Sequence, residues 1–371
     1  MRTLTAVQTG TVTYFFRNAY RSNLHSSRNV PFAQDQPGSS ERYGYDGAQD
    51  EQRQLLIFLR TTGVDILKAF VTGVTGYIGG SMAMALIDRG YEVYGLVRSA
   101  HQAYEVGKLG IIPVLGTLYD TETIKKQVLA VDLIVNAANS DNAYVVSTLL
   151  QSLRGSGKTL IHYSGTSVIG DRAEGAGSDQ QWTEHTQPRP RLEKVGRVAI
   201  DNAIRMAGQQ GFRTLVVCPT MVFGEGRALH KDSIQIPLLT RLAREHGVGV
   251  YVGSGENRTA FVHIDDLVSL SLLMLDKAES GAYLFAENGE VSMKELAQVI
   301  SEKLGFGGRT QSVPMEYILR ECCAHDPEEA EYGLGSNIRV SGQKARDFGW
   351  EPQHSDVISW IRDSQGQGFS R

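Results

Sequence analysis

ILKAFVTGVTGYIGG, residues 66 to 80, is a short apolar run followed by glycines three apart at Gly73, Gly76 and Gly79. The apolar run, 66–71, reads as a buried parallel strand. Apolar residues then recur at Ile78, Met82, Met84, Leu86 and Ile87, which predicts a helix ending near Gly90. Strand, glycine turn and helix start together make the local structure that a dinucleotide pyrophosphate needs. Gly73 permits the tight turn, Gly76 lets the backbone approach the phosphates, and Gly79 lets the helix pack close to the strand. The N–H groups left unpaired at the helix start then face the negative charge. Glycines alone would signal only a tight turn; the flanking strand and helix make the reading specific.

Downstream, the same unit repeats. Strands are predicted at 91–98, 111–115, 133–137, 159–163 and 213–218, with helices at 121–129, 144–153 and 193–209 between them. Such βα alternation implies an α/β fold with a doubly wound, Rossmann-type parallel sheet and right-handed crossovers. Past Pro219 the rhythm changes: helices are expected at 236–245, 266–276 and 292–304, with only short strands between. The expected organisation is an NAD(P)-binding domain over 65–235, joined by 259–277. A smaller C-terminal α/β substrate-binding cap, mainly 236–371, would lie over the carboxyl ends of the sheet, the usual ligand crevice.

The 371 residues suffice for one large α/β domain or two modest ones. Hydrophobic content of 41%, charged content of 21% and a net charge of −4 give no general attraction to nucleic acid or anionic membrane. No apolar run approaches the roughly 20 residues that a spanning helix requires. Three cysteines, two of them adjacent, make no disulfide framework and point to a reducing compartment. The nine histidines are scattered, so no metal is expected. Residues 1–64 differ from the rest: up to Gln34 they carry arginines and no acid, and 31–50 is polar and linker-like. They read as a disordered leader or a gene-model artefact, with a mitochondrial presequence as the alternative to a cytoplasmic protein.

TGVTGYIGG at 72–80, NAA at 136–138, PTMVFGEG at 219–226 and FVHIDD at 261–266 resemble the extended short-chain dehydrogenase/reductase superfamily. The likeness spans about 66–360 and is nearest to the atypical, fungal-type epimerase/dehydratase-like and NmrA-like members. It implies a nicotinamide cofactor held by Gly73, Gly76, Tyr77, Ile78, Gly79, Arg98, Leu118, Ala137, Ala138 and Pro219. The implied partner is a small-molecule substrate, and the assembly the resemblance allows is a homodimer. An NAD-type site usually ends its second strand with a carboxylate for the ribose hydroxyl. Here that strand ends at Arg98, whose guanidinium suits a 2′-phosphate, so NADP is expected over NAD.

The family's proton-handling set is a Ser or Thr after the fifth strand and a Tyr-x-x-x-Lys pair on the next helix. Lys194 stands in the helix, but four residues earlier is Pro190; the alternative frame places Glu193 at tyrosine and Arg197 at lysine. Counting back from Gly170, the hydroxyl position is Gly165, between Ser164 and Thr166. The candidate catalytic residues are therefore Ser164, Thr166, Lys194 and Glu193, with Arg258 for a polar substrate group. Asp265 and Asp266 are read as capping the following helix, and GWEP at 349–352 as a structural turn. The expected activity is hydride transfer to or from a small carbonyl or alcohol of secondary metabolism, with a nonstandard proton donor. The alternatives are a non-redox isomerase or cyclase on the same fold and a silent NADP(H)-binding regulator.

Overall fold

Seven strands in the spatial order Ala282–Ala286, Arg213–Pro219, Thr159–Tyr163, Leu133–Asn136, Lys68–Thr72, Glu92–Val97 and Ile112–Leu115, every neighbouring pair parallel, form the sheet of the computed structural model. It describes residues 65–364 except 187, 324–326 and 355, so the expected leader and linker lie outside the described residues. In chain order the first half runs β1 (Lys68–Thr72), α1 (Tyr77–Asp88), β2 (Glu92–Val97), α2 (Ala100–Gly107), β3 (Ile112–Leu115), α3 (Thr121–Ala130), β4 (Leu133–Asn136), α4 (Ala143–Leu153) and β5 (Thr159–Tyr163). A 3-10 turn, Leu192–Lys194, leads into α5 (Val195–Ala207), followed by β6 (Arg213–Pro219) and β7 (Met221–Phe223). Next come α6 (Gln235–His246), β8 (Gly249–Val252), β9 (Arg258–His263), α7 (Ile264–Lys277), β10 (Ala282–Ala286), β11 (Glu290–Ser292), α8 (Met293–Lys303) and β12 (Thr310–Val313).

Both faces of this sheet are covered, which is why its strands are continuously apolar. Ala69 and Val71 of β1 pack on one side with Met82 and Leu86 of α1 and Leu270 of α7. Phe70, on the opposite face, packs with Val128 of α3, Leu149 of α4 and Ile204 of α5. The order of strands reverses between β1 and β4, where Thr72 lies beside Asn136. Such a reversal parts the two connecting loops and opens a crevice at the strands' carboxyl ends. Strand β10 joins the far edge of the sheet, although it falls within the stretch expected to be mainly cap.

A second core is built from α6, α8 and the strands around them, with Leu239, Val252, Leu296 and Val313 at its centre. Strand β9 pairs with both β7 and β11, and β12 pairs with β8. The polypeptide that follows β12 returns over the crevice in short helical turns, Met315–Tyr317, Pro327–Ala330 and the π-type Glu331–Gly335.

One expectation is corrected here. Helix α7 is capped by His263, whose Nδ1 accepts the Asp265 N–H at 3.2 Å, and not by Asp265 or Asp266. Asp266 is buried and turned to the C-terminal segment, where its carboxylate accepts the N–H groups of Gln353 at 2.8 Å and His354 at 3.1 Å. Trp350 of the GWEP turn is buried and donates its indole N–H to the Asp266 carbonyl at 3.1 Å. An acid in the first turn can face its own helix's amides or another segment's, and the returning chain at Gln353 and His354, invisible in the local sequence, claims Asp266.

Candidate active site

The glycine turn has the geometry its spacing implies. Gly73 has φ of +74°, a conformation disfavoured for residues with a Cβ, and a Cβ there would lie 2.4 Å from the Ala137 carbonyl oxygen. A Cβ on Gly79 would lie 2.3 Å from the Gly73 oxygen. Gly76 starts α1 with no side chain capping the helix, and no acidic residue occupies the first turn. The exposed amides at this helix start therefore fit a diphosphate by both hydrogen bonding and dipole. Asn136 is locked behind the turn, accepting from Thr72 Oγ1 at 2.6 Å and donating to His162 Nδ1 across 2.9 Å.

From this turn a cleft of about 360 Å³ runs along the carboxyl edge of the sheet. Tyr77, Ile78 and Pro219 of the expected cofactor set line it, together with Thr166 and Lys194 of the catalytic set. Arg98 is exposed at the end of β2, with its backbone N–H bound to Gln102 Oε1 at 2.8 Å. Leu118 packs half-buried against the α3–α4–α5 side of the sheet. A depression of about 500 Å³ on α3, lined by Glu122, Lys125, Lys126, Leu129 and Ala130, touches none of these strand ends.

Lys194 is the centre of the polar wall. Its side chain is 1% exposed, its ammonium pairs with Glu328, and Asp141 Oδ2 lies 3.8 Å away. Asp141 is already bound by Arg197, whose Nε donates to Oδ1 at 2.8 Å. Burial opposes ionisation of Asp141, but the Arg197 bond and the nearby Arg197 and Lys194 charges outweigh it and hold the carboxyl below its usual range. Arg197 Nη1 also donates to Ser167 Oγ at 2.6 Å. The Ser167 hydroxyl hydrogen is left free to point elsewhere, while Thr166 donates to the Pro219 carbonyl at 3.2 Å.

Three expected residues face other ways. Ser164 donates to Asp201 Oδ2 at 2.5 Å, under α5 and outside the cleft lining. Strand alternation accounts for this, because Tyr163 points to the opposite side, where its hydroxyl reaches Ser271 at 2.7 Å. Glu193 is exposed and accepts the Tyr332 hydroxyl at 3.0 Å and the Arg191 guanidinium at 2.5 Å. Arg258 is held by Glu290 at 3.0 Å, a carboxylate it shares with Arg339. In their place Ser167, Thr220, Tyr332 and Glu328 line the cleft. Burial, and then the Glu193 bond, raise the Tyr332 phenol above its usual range, which makes it a reluctant acid.

Behind the cleft, His162 Nε2 lies 3.7 Å from Asp201 Oδ1, and neither atom has a hydrogen-bond partner. Burial, assisted by Arg197, depresses His162 to about 3, while burial raises Asp201 to about 6 against its Ser164 bond. The imidazole is therefore neutral at pH 7, so the contact is not an ion pair. The two groups have opposite linkage signs. A depressed imidazole makes folding weaker as pH falls from about 6.5 towards 3, because the unfolded chain takes the proton first. A raised carboxyl makes folding weaker as pH rises from about 4 to 6, because the folded chain keeps its proton longer. Compared with the parent chain, Asp201→Asn should therefore gain relative stability as pH rises through the second window. His162→Gln should gain it as pH falls through the first. Urea unfolding at stepped pH reads both; differences that do not vary with pH would contradict the burial argument.

Among the described residues, His263, Asp265 and His354 are grouped closely enough to suggest a metal. The two rings are stacked with centroids 3.7 Å apart and planes 10° apart, so their in-plane lone pairs run side by side and do not converge. Cys218 and Cys323 are buried, and burial pushes the Cys218 thiol up to about 12, which disfavours the reactive thiolate. No described helix is long and apolar enough to cross a membrane.

Residues 69–284 match the model of the NAD dependent epimerase/dehydratase family. An oxidase of an Acremonium species, ucsJ, is 31% identical over 77% of this chain and 92% of its own length. A 4-hydroxy-2-methyl-3-oxo-4-farnesyl-3,4-dihydroquinoline-1-oxide ketoreductase of Stigmatella aurantiaca is 25% identical, covering 76% of this chain and 90% of the relative. Among solved structures, a dTDP-glucose 4,6-dehydratase of Streptomyces venezuelae with NAD bound superposes with a TM-score of 0.61 at 22% identity. It covers 81% of this chain and 98% of its own.

Proposed function

The chain belongs to the NAD-dependent epimerase/dehydratase family, and on that premise we propose that it is an NADP(H)-dependent oxidoreductase of small organic carbonyls or alcohols. The observation that carries the reading is a buried lysine ammonium, Lys194, lining the cleft that begins at the glycine turn. The oxidase and ketoreductase relatives support redox chemistry. The residues fit the cofactor: Gly73, Gly76 and Gly79 would hold the diphosphate, Ala137, Ala138 and Leu118 would flank the nucleoside, and Pro219 would border the nicotinamide. When bound there, the nicotinamide would supply a hydride donor or acceptor.

The protein's own contribution follows from the polar wall. Ser167, with Arg197 donating to its oxygen, would present its hydroxyl hydrogen to a carbonyl oxygen and stabilise charge growing there. Lys194 would pass a proton to that oxygen in reduction and take it back in oxidation. Thr166, fixed to the Pro219 carbonyl, would position the carbonyl group, and the apolar wall of Met221, Val222 and Ile338 would keep water out. The cap formed mainly by 236–371 would choose the substrate. Loss of NADPH absorbance as the intact chain reduces a panel of ketones to alcohols tests the reading; binding without turnover of any carbonyl or alcohol would reject it.

Arg98 would distinguish the two dinucleotides. It is exposed at the end of β2 and no carboxylate follows it there, since the next residue, Ser99, caps α2 through the Gln102 N–H at 3.2 Å. Arg98→Asp should weaken NADPH binding about 10- to 100-fold and strengthen NADH binding, as expected for one charge-assisted phosphate contact. Fluorescence titration with each dinucleotide measures this. An unchanged ratio of affinities would remove Arg98 from the phosphate site.

A further inference from the structure

Glu328 holds a place that the proposed chemistry does not use. It lies on the four-residue turn Pro327–Ala330, more than 130 residues from the lysine it pairs with, and its side chain is 48% exposed. Lys194 is fully buried, and a buried ammonium requires a counter-charge whenever it is ionised. Asp141 cannot supply it alone, because both of its oxygens are bound by Arg197. Glu328, half-exposed on the turn Pro327–Ala330, supplies it from the solvent side, and its neighbour Glu329 also lines the cleft. Ile78, Met221, Val222, Ile234 and Ile338 supply the apolar part of the same lining, whose charged members are Lys194, Arg197, Glu328 and Glu329.

We propose that the substrate of this cleft is an amphiphilic acid, whose carboxylate replaces Glu328 on the Lys194 ammonium while its apolar body lies against this wall. Glu328 is thus a resident stand-in for the substrate's carboxylate. An ammonium offers three N–H donors; one binds the substrate carboxylate and another remains for the carbonyl oxygen. A neutral carbonyl compound would leave Glu328 in place and gain no charge-assisted contact with the ammonium, so it is held less tightly than the acid. This inference rests on the oxidoreductase reading for its carbonyl group, but its charge preference concerns binding and is measured separately.

Hexanoate and hexanamide, which share an apolar chain and differ in charge, are the probes. Calorimetric titration of the full chain, with and without NADPH, should show hexanoate binding at least about tenfold tighter than hexanamide. Glu328→Gln removes the tethered competitor and should tighten hexanoate about tenfold, since a tethered group acts at an effective concentration of order millimolar or higher. The same substitution should change hexanamide binding much less. Lys194→Met should abolish the difference between the two probes. Equal affinities in the parent chain, or a Glu328→Gln variant that binds hexanoate no tighter, would overturn the proposal. NADPH binding is read in the same instrument: if NADPH fails to bind while hexanoate is preferred, the oxidoreductase reading fails and the acid site stands.

Discussion

Lys194→Met is expected to lower turnover by about 100- to 10,000-fold, the usual contribution of a positioned proton donor. Binding of NADPH should change by no more than a few fold, because the glycine turn that would hold the diphosphate is untouched. The variant should fold, because replacing a buried charge with an apolar side chain of similar length relieves desolvation even as it frees Glu328 to water. Tyr332→Phe is the contrasting experiment. Tyr332 lines the cleft and its ring lies 5.3 Å from the Lys194 nitrogen, which makes it a rival donor in space. Yet its hydroxyl is spent on Glu193 and its pKa is raised, so removing the hydroxyl should cost less than about tenfold. Equal losses in the two variants would move the proton donor from the lysine to the tyrosine.

Gly79→Val is expected to abolish measurable dinucleotide binding and to destabilise the chain by about 3–5 kcal/mol. Its first side-chain carbon would stand 2.3 Å from the Gly73 carbonyl oxygen and 3.2 Å from the Ala137 Cβ. Both contacts lie at the junction of β1, β4 and α1, so the helix start must retreat from the strand to make room. That movement removes the amides from the place where a diphosphate would sit. Gly107→Ala is the control: a Cβ there meets nothing within 4 Å, and the position is helical. It should leave binding unchanged and alter stability by no more than about 1 kcal/mol. Thermal melts and NADPH fluorescence titration report both quantities. If Gly79→Val still binds NADPH like the parent, the turn is structural and the cofactor lies elsewhere.

The sheet was legible because its strands announce themselves one at a time. Residues 159–163 were expected as a strand and form one with the same bounds, and 121–129 and 144–153 differ from α3 and α4 by one residue at an end. The glycine turn was legible for the same reason: Gly73, Gly76 and Gly79 act within one loop, and their spacing is their geometry. The helix bearing Lys194 was also placed correctly, as a 3-10 turn continued by α5. Ser164 was less readable. It follows the last residue of β5, so whether it or Ser167 meets the cleft depends on how the chain leaves the strand, and the 3-10 turn Thr166–Ile169 settles that in favour of Thr166 and Ser167.

Tyr332 and Glu328 carried no sequence signal at all. They come from a segment of short turns with no periodic pattern, 139 and 134 residues away from Glu193 and Lys194. Arg258 is the converse case: a conspicuous cation after a glycine-rich loop is paired with Glu290, two strands away in sequence but adjacent in the small sheet.

From sequence alone came the layered α/β architecture, the strand–glycine turn–helix unit and the place of Lys194 at the start of a helix, because each rests on interactions within one turn, one strand or one βα unit. Tertiary structure alone decided which hydroxyls face the cleft, which acid is the lysine's counter-ion and which arginine is already paired. The reason is physical: backbone preferences and apolar periodicity act over a few residues, whereas a buried charge must find its partner in space, and the chain brings that partner from wherever its returning segments happen to pass.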